Sequence, residues 1–239
     1  MRKLVLALLL IFTTSGVATA GDYDFNFSAI ANDTFKTVVR EAGLLSAYRG
    51  VAPAEPQGLT GFDVGVELSL VELDSKWDQV FLGGDTPGYL PVPRVHVRKG
   101  LPFGLDVGVS LTQIPESDMQ VIGGELQYAI LEGTTATPAL SIRGSYSTVN
   151  GIDDLDLETY AADAVISKGI LMFTPYAGVG IVQIDGEYTG GTNAAIGSED
   201  FTETRVFAGV QMAIALLRLT VDAEFSQTPI YTAKLSLGW

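Results

Sequence analysis

The sequence predicts an all-β fold: a transmembrane, antiparallel, up-and-down β-barrel of about ten strands (8–12) with an N-terminal amphipathic helix. Apolar and polar residues alternate with a period of two from about residue 61 to the end of the chain. After residue 20 no apolar run reaches the roughly 18 residues of a spanning helix, although the mean hydropathy is +0.29. The chain ends on an aromatic residue in a strand-like segment. A secreted β-sandwich is the alternative.

Residues 1–20 have the features of a secretory signal peptide. Arg2 and Lys3 precede the apolar run 4–12, and Ala18 and Ala20 form an A-x-A cleavage site. We therefore expect cleavage near Ala20 and, for a barrel, delivery to the outer membrane of a Gram-negative bacterium. The chain has no cysteine, so it forms no disulfide and carries no lipoprotein anchor.

Residues 21–60 are predicted to form a helix and an extended linker. Asn32-Asp33-Thr34 offers a helix cap, and Gly50, Pro53 and Pro56 break the pattern after about four turns. The segment either lies in the periplasm or folds into the barrel as a plug. The apolar residues at helical spacing are Phe35, Val38, Val39, Ala42, Leu45 and Tyr48.

Residues 61–239 are predicted to form the transmembrane barrel. Its long connections, 74–91 and 186–200, fall on the outer side if both chain ends lie in the periplasm, whereas the turns of the other side are short. The predicted strands are 62–70, 92–99, 103–112, 122–130, 140–146, 155–167, 173–185, 204–214, 217–226 and 231–239.

The final strand places apolar residues on one face and polar or small residues on the other. Its apolar face resembles the C-terminal strand of Gram-negative outer-membrane β-barrels, which end on an aromatic residue that the barrel assembly machinery reads. The resemblance implies that this machinery, outer-membrane lipid and lipopolysaccharide are partners. The assembly signal would consist of Tyr231, Leu235, Leu237 and Trp239.

Two aromatic girdles are expected to border the apolar band, as in barrels that lie in lipid. The inner girdle would consist of Phe103, Tyr128, Tyr176 and Trp239, and the outer girdle of Tyr146, Tyr160, Phe225 and Tyr231.

Charged residues on three successive strands are predicted to share the lumen. Opposite charges on neighbouring strands should pair in so narrow an interior. Structural ion pairs are one interpretation of this cluster, and a charged constriction that selects solutes is the other. Its members are Asp63, Glu67, Arg94, His96, Arg98 and Asp106.

An apolar wall is expected to line part of the lumen on the sixth to eighth strands, formed by Val165, Val179, Ile181 and Phe207. It would pack against the helix or form a path for an apolar ligand. An inward N-terminal segment beside an apolar wall resembles outer-membrane transporters of fatty acids and other hydrophobic compounds. The chain is shorter than those barrels and lacks their Asn-Pro-Ala motif.

Enzymatic chemistry is not expected, because His96 is the only histidine and lies in neither an Asp-x-His nor a His-x-Ser pattern. We expect no metal site and no cofactor, and the net charge of −14 argues against nucleic acid. Two functions follow. One is passive transport of a small apolar solute through a plugged, narrow lumen. The other is a structural or surface-interaction barrel with a sealed lumen that contacts lipopolysaccharide or a partner.

Overall fold

The computed structural model describes residue 27 and residues 30–80, 88–114, 119–152, 154–191 and 193–239. The predicted signal peptide lies outside these residues. The elements are helix α1 (Asn32–Ser46) and strands β1 (Phe62–Glu72), β2 (Tyr89–Gly100), β3 (Leu105–Gln113), β4 (Gln120–Glu132), β5 (Ala139–Asn150), β6 (Leu155–Ser167), β7 (Phe173–Tyr188), β8 (Ser198–Ile214), β9 (Leu217–Phe225) and β10 (Ile230–Gly238).

The ten strands form a closed antiparallel barrel, which confirms the predicted fold class. Each strand pairs with its neighbours in the sequence, and β1 pairs with β10 from Asp63↔Gly238 to Val71↔Ile230. Closure leaves no strand edge unpaired. We call the end with the short turns and the C-terminus the inner end, and the opposite end the outer end. In the described parts of the chain, no helix is long and apolar enough to cross a membrane.

The hairpin of β7 and β8 is longer than predicted. Its strands stay paired from Phe173↔Met212 to Glu187↔Ser198, so residues 186–188 and 198–200 of the predicted connection 186–200 belong to strands. The alternation of apolar and polar residues is weak there, because both faces of the strands carry polar residues. The backbone hydrogen bonds between β7 and β8 nevertheless continue. The predicted connection 74–91 also loses its last residues to β2 and contains a short 3₁₀ helix, Ser75–Gln79.

The outer surface of the barrel carries an apolar belt with aromatic residues at both ends. Tyr146 lies beside Tyr160, with ring centroids 5.0 Å apart, at the outer end. Phe62 lies beside Trp239, with centroids 4.1 Å apart, at the inner end. Tyr176 was predicted to belong to the inner girdle, and this is wrong: its side chain is buried in the lumen.

Helix α1 and the extended residues after it lie inside the barrel. The predicted cap is wrong, because Ala31 occupies the N-cap position and no side chain caps the helix. A barrel of about eight strands is just filled by its own side chains, so ten strands leave room for a further segment. We call Phe27 together with residues 30–60 the plug.

Two apolar clusters hold the interior together. The larger one surrounds the helix in the outer half of the lumen, where Phe35, Val38 and Leu44 meet wall residues such as Leu157 and Ile184. The smaller one lies nearer the inner end and contains Ala54, Ala139, Val165, Tyr176 and Phe207. Between them, the wall and the extended part of the plug meet through polar and charged groups.

Candidate functional site

The plug crosses the lumen from the outer end to the inner end. At the outer end, the Asn193 side chain donates hydrogen bonds to the carbonyl oxygens of Phe27 (3.1 Å) and Ile30 (2.9 Å). At the inner end, the backbone N–H of Gln57 donates to the two carboxylate oxygens of Asp106 at 3.0 and 3.2 Å. The chain therefore runs downward through the lumen before it turns back into β1.

The connection between β1 and β2 latches the helix at the outer end. Glu41 accepts hydrogen bonds from Trp77 Nε1 (2.7 Å) and from the backbone N–H of Asp74 (3.1 Å). Lys76 Nζ lies 2.6 Å from Asp33 Oδ2. The hydrogen bond from Lys76 lowers the pKa of Asp33, whereas burial raises the pKa of Glu41.

Helix α1 approaches the wall closely at two glycines. A Cβ atom on Gly43 of the helix would overlap the side chain of Ile184, and a Cβ atom on Gly186 of β7 would overlap the side chain of Val39. Glycine at these positions lets helix and wall come into contact. Helix α1 and strand β7 therefore pack closely, as parts of one hydrophobic core.

Wall cations hold the extended part of the plug through its main-chain carbonyl groups. Arg143 donates from Nη2 to the oxygens of Ala52 (2.6 Å) and Pro53 (2.8 Å), and from Nη1 to that of Gly50. Lys234 Nζ donates to the oxygen of Val51 at 2.9 Å. An extended segment without its own ladder needs partners for its carbonyls when it is buried, and the wall supplies them.

The same principle operates at the end of the helix. Arg205 donates to the carbonyl oxygen of Tyr48 at 3.1 Å and Arg94 to that of Ala47 at 3.3 Å. Arg49, which belongs to the plug, donates to the last-turn carbonyls of Leu44 (2.9 Å) and Leu45 (3.1 Å). These bonds satisfy carbonyl groups that a helix end leaves free.

The six residues of the predicted lumen charge cluster all point into the lumen and are buried. They form two groups, not one. His96 Nε2 lies 2.7 Å from Asp63 Oδ1, and its Nδ1 lies 3.1 Å from Glu67 Oε1. Arg98 pairs with Asp106 at 3.0 Å. Arg94 instead hydrogen-bonds Thr112 at 3.1 Å and the plug.

A second set of ion pairs lies across the lumen. Arg205 binds Asp163 through two hydrogen bonds, Nε–Oδ1 at 2.8 Å and Nη2–Oδ2 at 2.6 Å. Lys234 and Arg218 extend the first group instead, since both reach Asp63 at 3.1 Å. Opposite charges thus alternate around the wall, an arrangement that pairs buried ions and does not form a field of one sign.

The predicted apolar lumen wall is half wrong. Val165 and Phe207 lie in the lumen, but Val179 and Ile181 are 55% and 53% exposed on the outside of the barrel. The apolar lumen residues of β7 are Tyr176, Val182 and Ile184. The strand was assigned the wrong phase because both of its faces are apolar, so alternation alone gave no polar face to mark the interior.

A small cavity borders the extended part of the plug. This cavity of about 10 Å³ is lined by residues of the plug and of β6, β8 and β9, among them Arg49, Asp222 and Glu224. That volume is about the size of one water molecule. Carboxylate and guanidinium atoms without protein partners border it, so the cavity suits a single bound water.

Catalytic or metal-binding arrangements are not evident in the part of the chain that the structure describes. Both nitrogens of His96 face carboxylates, and only 5% of its side chain is exposed. Such a ring cannot approach a substrate as a general base. Within the described ranges, no group of three or more acidic or histidine side chains could hold a metal ion.

The C-terminal strand lies between β9 and β1, with Tyr231 and Trp239 exposed on the outside and Leu235 and Leu237 half-buried there. All four belong to the side of the strand that points out of the barrel. Recognition of these residues by the barrel assembly machinery stays a prediction.

Sequence reasoning did not connect Arg143 with the plug, and it missed the glycines that accommodate the plug. A Cβ atom on Gly108 or Gly123 would overlap Tyr48. Inward-facing glycines inside strands mark places where another segment approaches closely. That signal was available in the sequence and points to a filled lumen.

Sequence comparison places the chain in a family. The model of a family of unknown function, DUF6588, matches residues 69–239. The chain belongs to this family. The matched region contains β2 to β10 and the end of β1, whereas the plug precedes it. No curated protein matches the chain in sequence.

Distant structural likenesses are found among small barrels. The N-terminal β-barrel domain of Pseudomonas aeruginosa OprF is 10% identical and aligns over 76% of this chain and 99% of that one, with a TM-score of 0.37. The KdgM porin is 8% identical over 74% and 99% of the two chains, with a TM-score of 0.39. Ail of Yersinia pestis is 14% identical over 74% and 95%, with a TM-score of 0.30.

Proposed function

We propose that this protein is a barrel of the Gram-negative outer membrane whose own plug seals the lumen, and that it acts as a structural and surface barrel. The observation that carries the proposal is the continuous attachment of the plug, from Asn193 at the outer end to Asp106 at the inner end. Passive transport would need a path beside the plug, and the cavity that borders Arg49 and Gly50 of the plug has a volume of about 10 Å³.

The membrane location is supported by the outside of the barrel. Large apolar side chains such as Leu68, Val109 and Leu126 are exposed between the two aromatic ends. Burying such a belt in lipid removes it from water, and only a closed barrel or helices can satisfy the backbone within a bilayer. The inner turns are short, and the two longest connections, β1–β2 and β7–β8, both lie at the outer end, as in outer-membrane barrels.

The surface role is supported by the outer rim. The extended strands β6 to β8 present carboxylates on their outer face, directly above the Tyr146–Tyr160 pair. Carboxylates repel the phosphates of lipopolysaccharide, so contact would pass through shared divalent cations. The residues concerned are Asp156, Glu158, Asp185, Glu187 and Asp200.

Conductance across planar lipid bilayers tests the proposal. We expect the full-length protein to insert without current steps and not to release small solutes from liposomes. A variant without residues 29–50 is the positive control, because removing the helix empties the outer half of the lumen. Current steps from the full-length protein, or uptake of an apolar fluorescent solute that exceeds that of protein-free liposomes, would contradict a sealed lumen.

A further inference from the structure

Three of the four inner turns end in large, exposed apolar side chains. Phe103, between β2 and β3, is 89% exposed, and Leu171, between β6 and β7, is 100% exposed. Leu216, between β8 and β9, is 46% exposed. We call these three residues the turn tips. The fourth inner turn, between β4 and β5, is polar: Thr134 and Thr137 hydrogen-bond each other at 2.9 Å.

The backbone of these turns does not explain the apolar side chains. Phe103 and Leu171 have φ angles of 65° and 57°, and Ala215, beside Leu216, has a φ of 54°. This left-handed region is unfavourable for residues other than glycine or asparagine. The polar turn uses Gly133 at a φ of 79°. Phenylalanine and leucine are therefore unfavourable at the tips unless their side chains have a favourable environment.

The height of the apolar belt indicates that the favourable environment of the turn tips is lipid. On β9, which is Leu217–Phe225, nine residues separate the inner end from the aromatic outer end. At the usual rise and tilt of barrel strands they cover about 20 Å along the membrane normal. Outer-membrane barrels expose an apolar band of about 25 Å. The turn tips extend the belt at its inner end by roughly the missing distance.

We propose that the turn tips are a lipid-contact surface, which inserts into the boundary between headgroups and acyl chains of the inner leaflet. The inference rests on the membrane location given under the proposed function, but not on whether the lumen is sealed. At the β6–β7 turn, the apolar surface of the tip continues that of the belt, because Ile170, Met172 and Phe173 beside Leu171 are exposed too. The partner is phospholipid, and the β4–β5 turn stays in water.

Single-cysteine labelling tests this proposal in the full-length protein, which has no cysteine of its own. Leu171→Cys and Leu216→Cys would carry an environment-sensitive fluorophore, and the matched control is Thr135→Cys in the exposed polar turn. The proteins are refolded into phosphatidylcholine vesicles that contain lipids brominated near the headgroup. Resistance of the folded barrel to protease shows that each variant has inserted.

We expect blue-shifted emission at positions 171 and 216, strong quenching by the brominated lipid and weak quenching by aqueous iodide, with the reverse at position 135. Equal iodide quenching at positions 171 and 135 would overturn the proposal. Protection at position 171 that disappears when the protein is diluted into more lipid would also overturn it, because it would assign the tips to a second copy. A barrel that conducts but gives the expected quenching would refute the sealed lumen alone.

Discussion

At the scale of single residues, Glu41 shows how burial and hydrogen bonding compete. One of its carboxylate oxygens, Oε2, accepts from both Trp77 Nε1 and the backbone N–H of Asp74. Burial nevertheless raises the pKa of Glu41 above its ordinary value of 4.5. The charged form is therefore less favourable in the folded protein than in the unfolded chain.

The first prediction concerns this carboxyl group. Because its pKa is raised on folding, its contribution to stability is fully present below about pH 4 and decreases as the pH rises through the unfolded and then the folded value. Glu41→Gln keeps an oxygen for both donors and removes the charge. The variant should lose this part of the pH dependence and be at least as stable as the wild type at neutral pH.

Guanidinium unfolding in lipid vesicles, at a series of pH values from acid to neutral, measures this difference. The control is Glu72→Gln, which changes the same charge on an exposed residue at the outer end of β1. A loss of stability in Glu41→Gln at neutral pH would contradict the prediction, since it would mean that the charge itself strengthens the latch.

The partners of the charged lumen residues were only partly predictable from the sequence. His96 was expected in a charge cluster, and its two ring nitrogens face Asp63 and Glu67. Which residues point inward followed from alternation in the sequence. Which cation meets which carboxylate did not, because Arg94 and Arg143 turn to carbonyl groups of the plug, and no sequence pattern encodes that approach.

At the scale of elements, the contact between α1 and β7 depends on the absence of a side chain at Gly43. In an exposed helix, Gly→Ala stabilises by about 1 kcal/mol. Here the new Cβ atom would overlap the Ile184 side chain, and overpacking of a close-packed site typically costs about 1–3 kcal/mol.

The second prediction is a reversal of sign in a double-mutant cycle. Gly43→Ala alone should lower the free energy of unfolding, whereas in an Ile184→Ala background it should raise it, because the space is then free and the helix propensity remains. Denaturant titrations of the four proteins measure the coupling. Equal effects of Gly43→Ala in both backgrounds would show that the helix does not pack on β7.

At the scale of the whole molecule, the plug runs through the barrel in one direction, from the outer end to the inner end. Asn32 is exposed at the outer end, and Leu59 is 65% exposed near the inner end. The two residues lie at opposite ends of the barrel, although the chain between them forms no strand of its wall.

The third prediction follows from that direction. Asn32→Cys should react with a membrane-impermeant maleimide on intact cells, and Leu59→Cys should react only after the outer membrane is opened. Labelling followed by gel shift measures both. The reverse pattern would place the long connections in the periplasm, and exposure of both positions only to the periplasm would place the plug outside the lumen.

The sequence by itself determined the barrel. Alternation indicates which face of a strand points out of the barrel, and it located the ten strands because the period of two is a local property of the chain. Most strand ends lie within a few residues of the predicted ones, but β8 begins at Ser198 and not at residue 204. Alternation failed on β7, where Val179 and Ile181 face outward, since a strand with two apolar faces has no distinguishable inside.

Only the tertiary structure decided that the helix lies in the lumen and that wall cations bind its extended continuation. Those contacts join residues far apart in the chain, such as Arg143 and Ala52, and hydrogen bonds to main-chain carbonyls can form with any sequence.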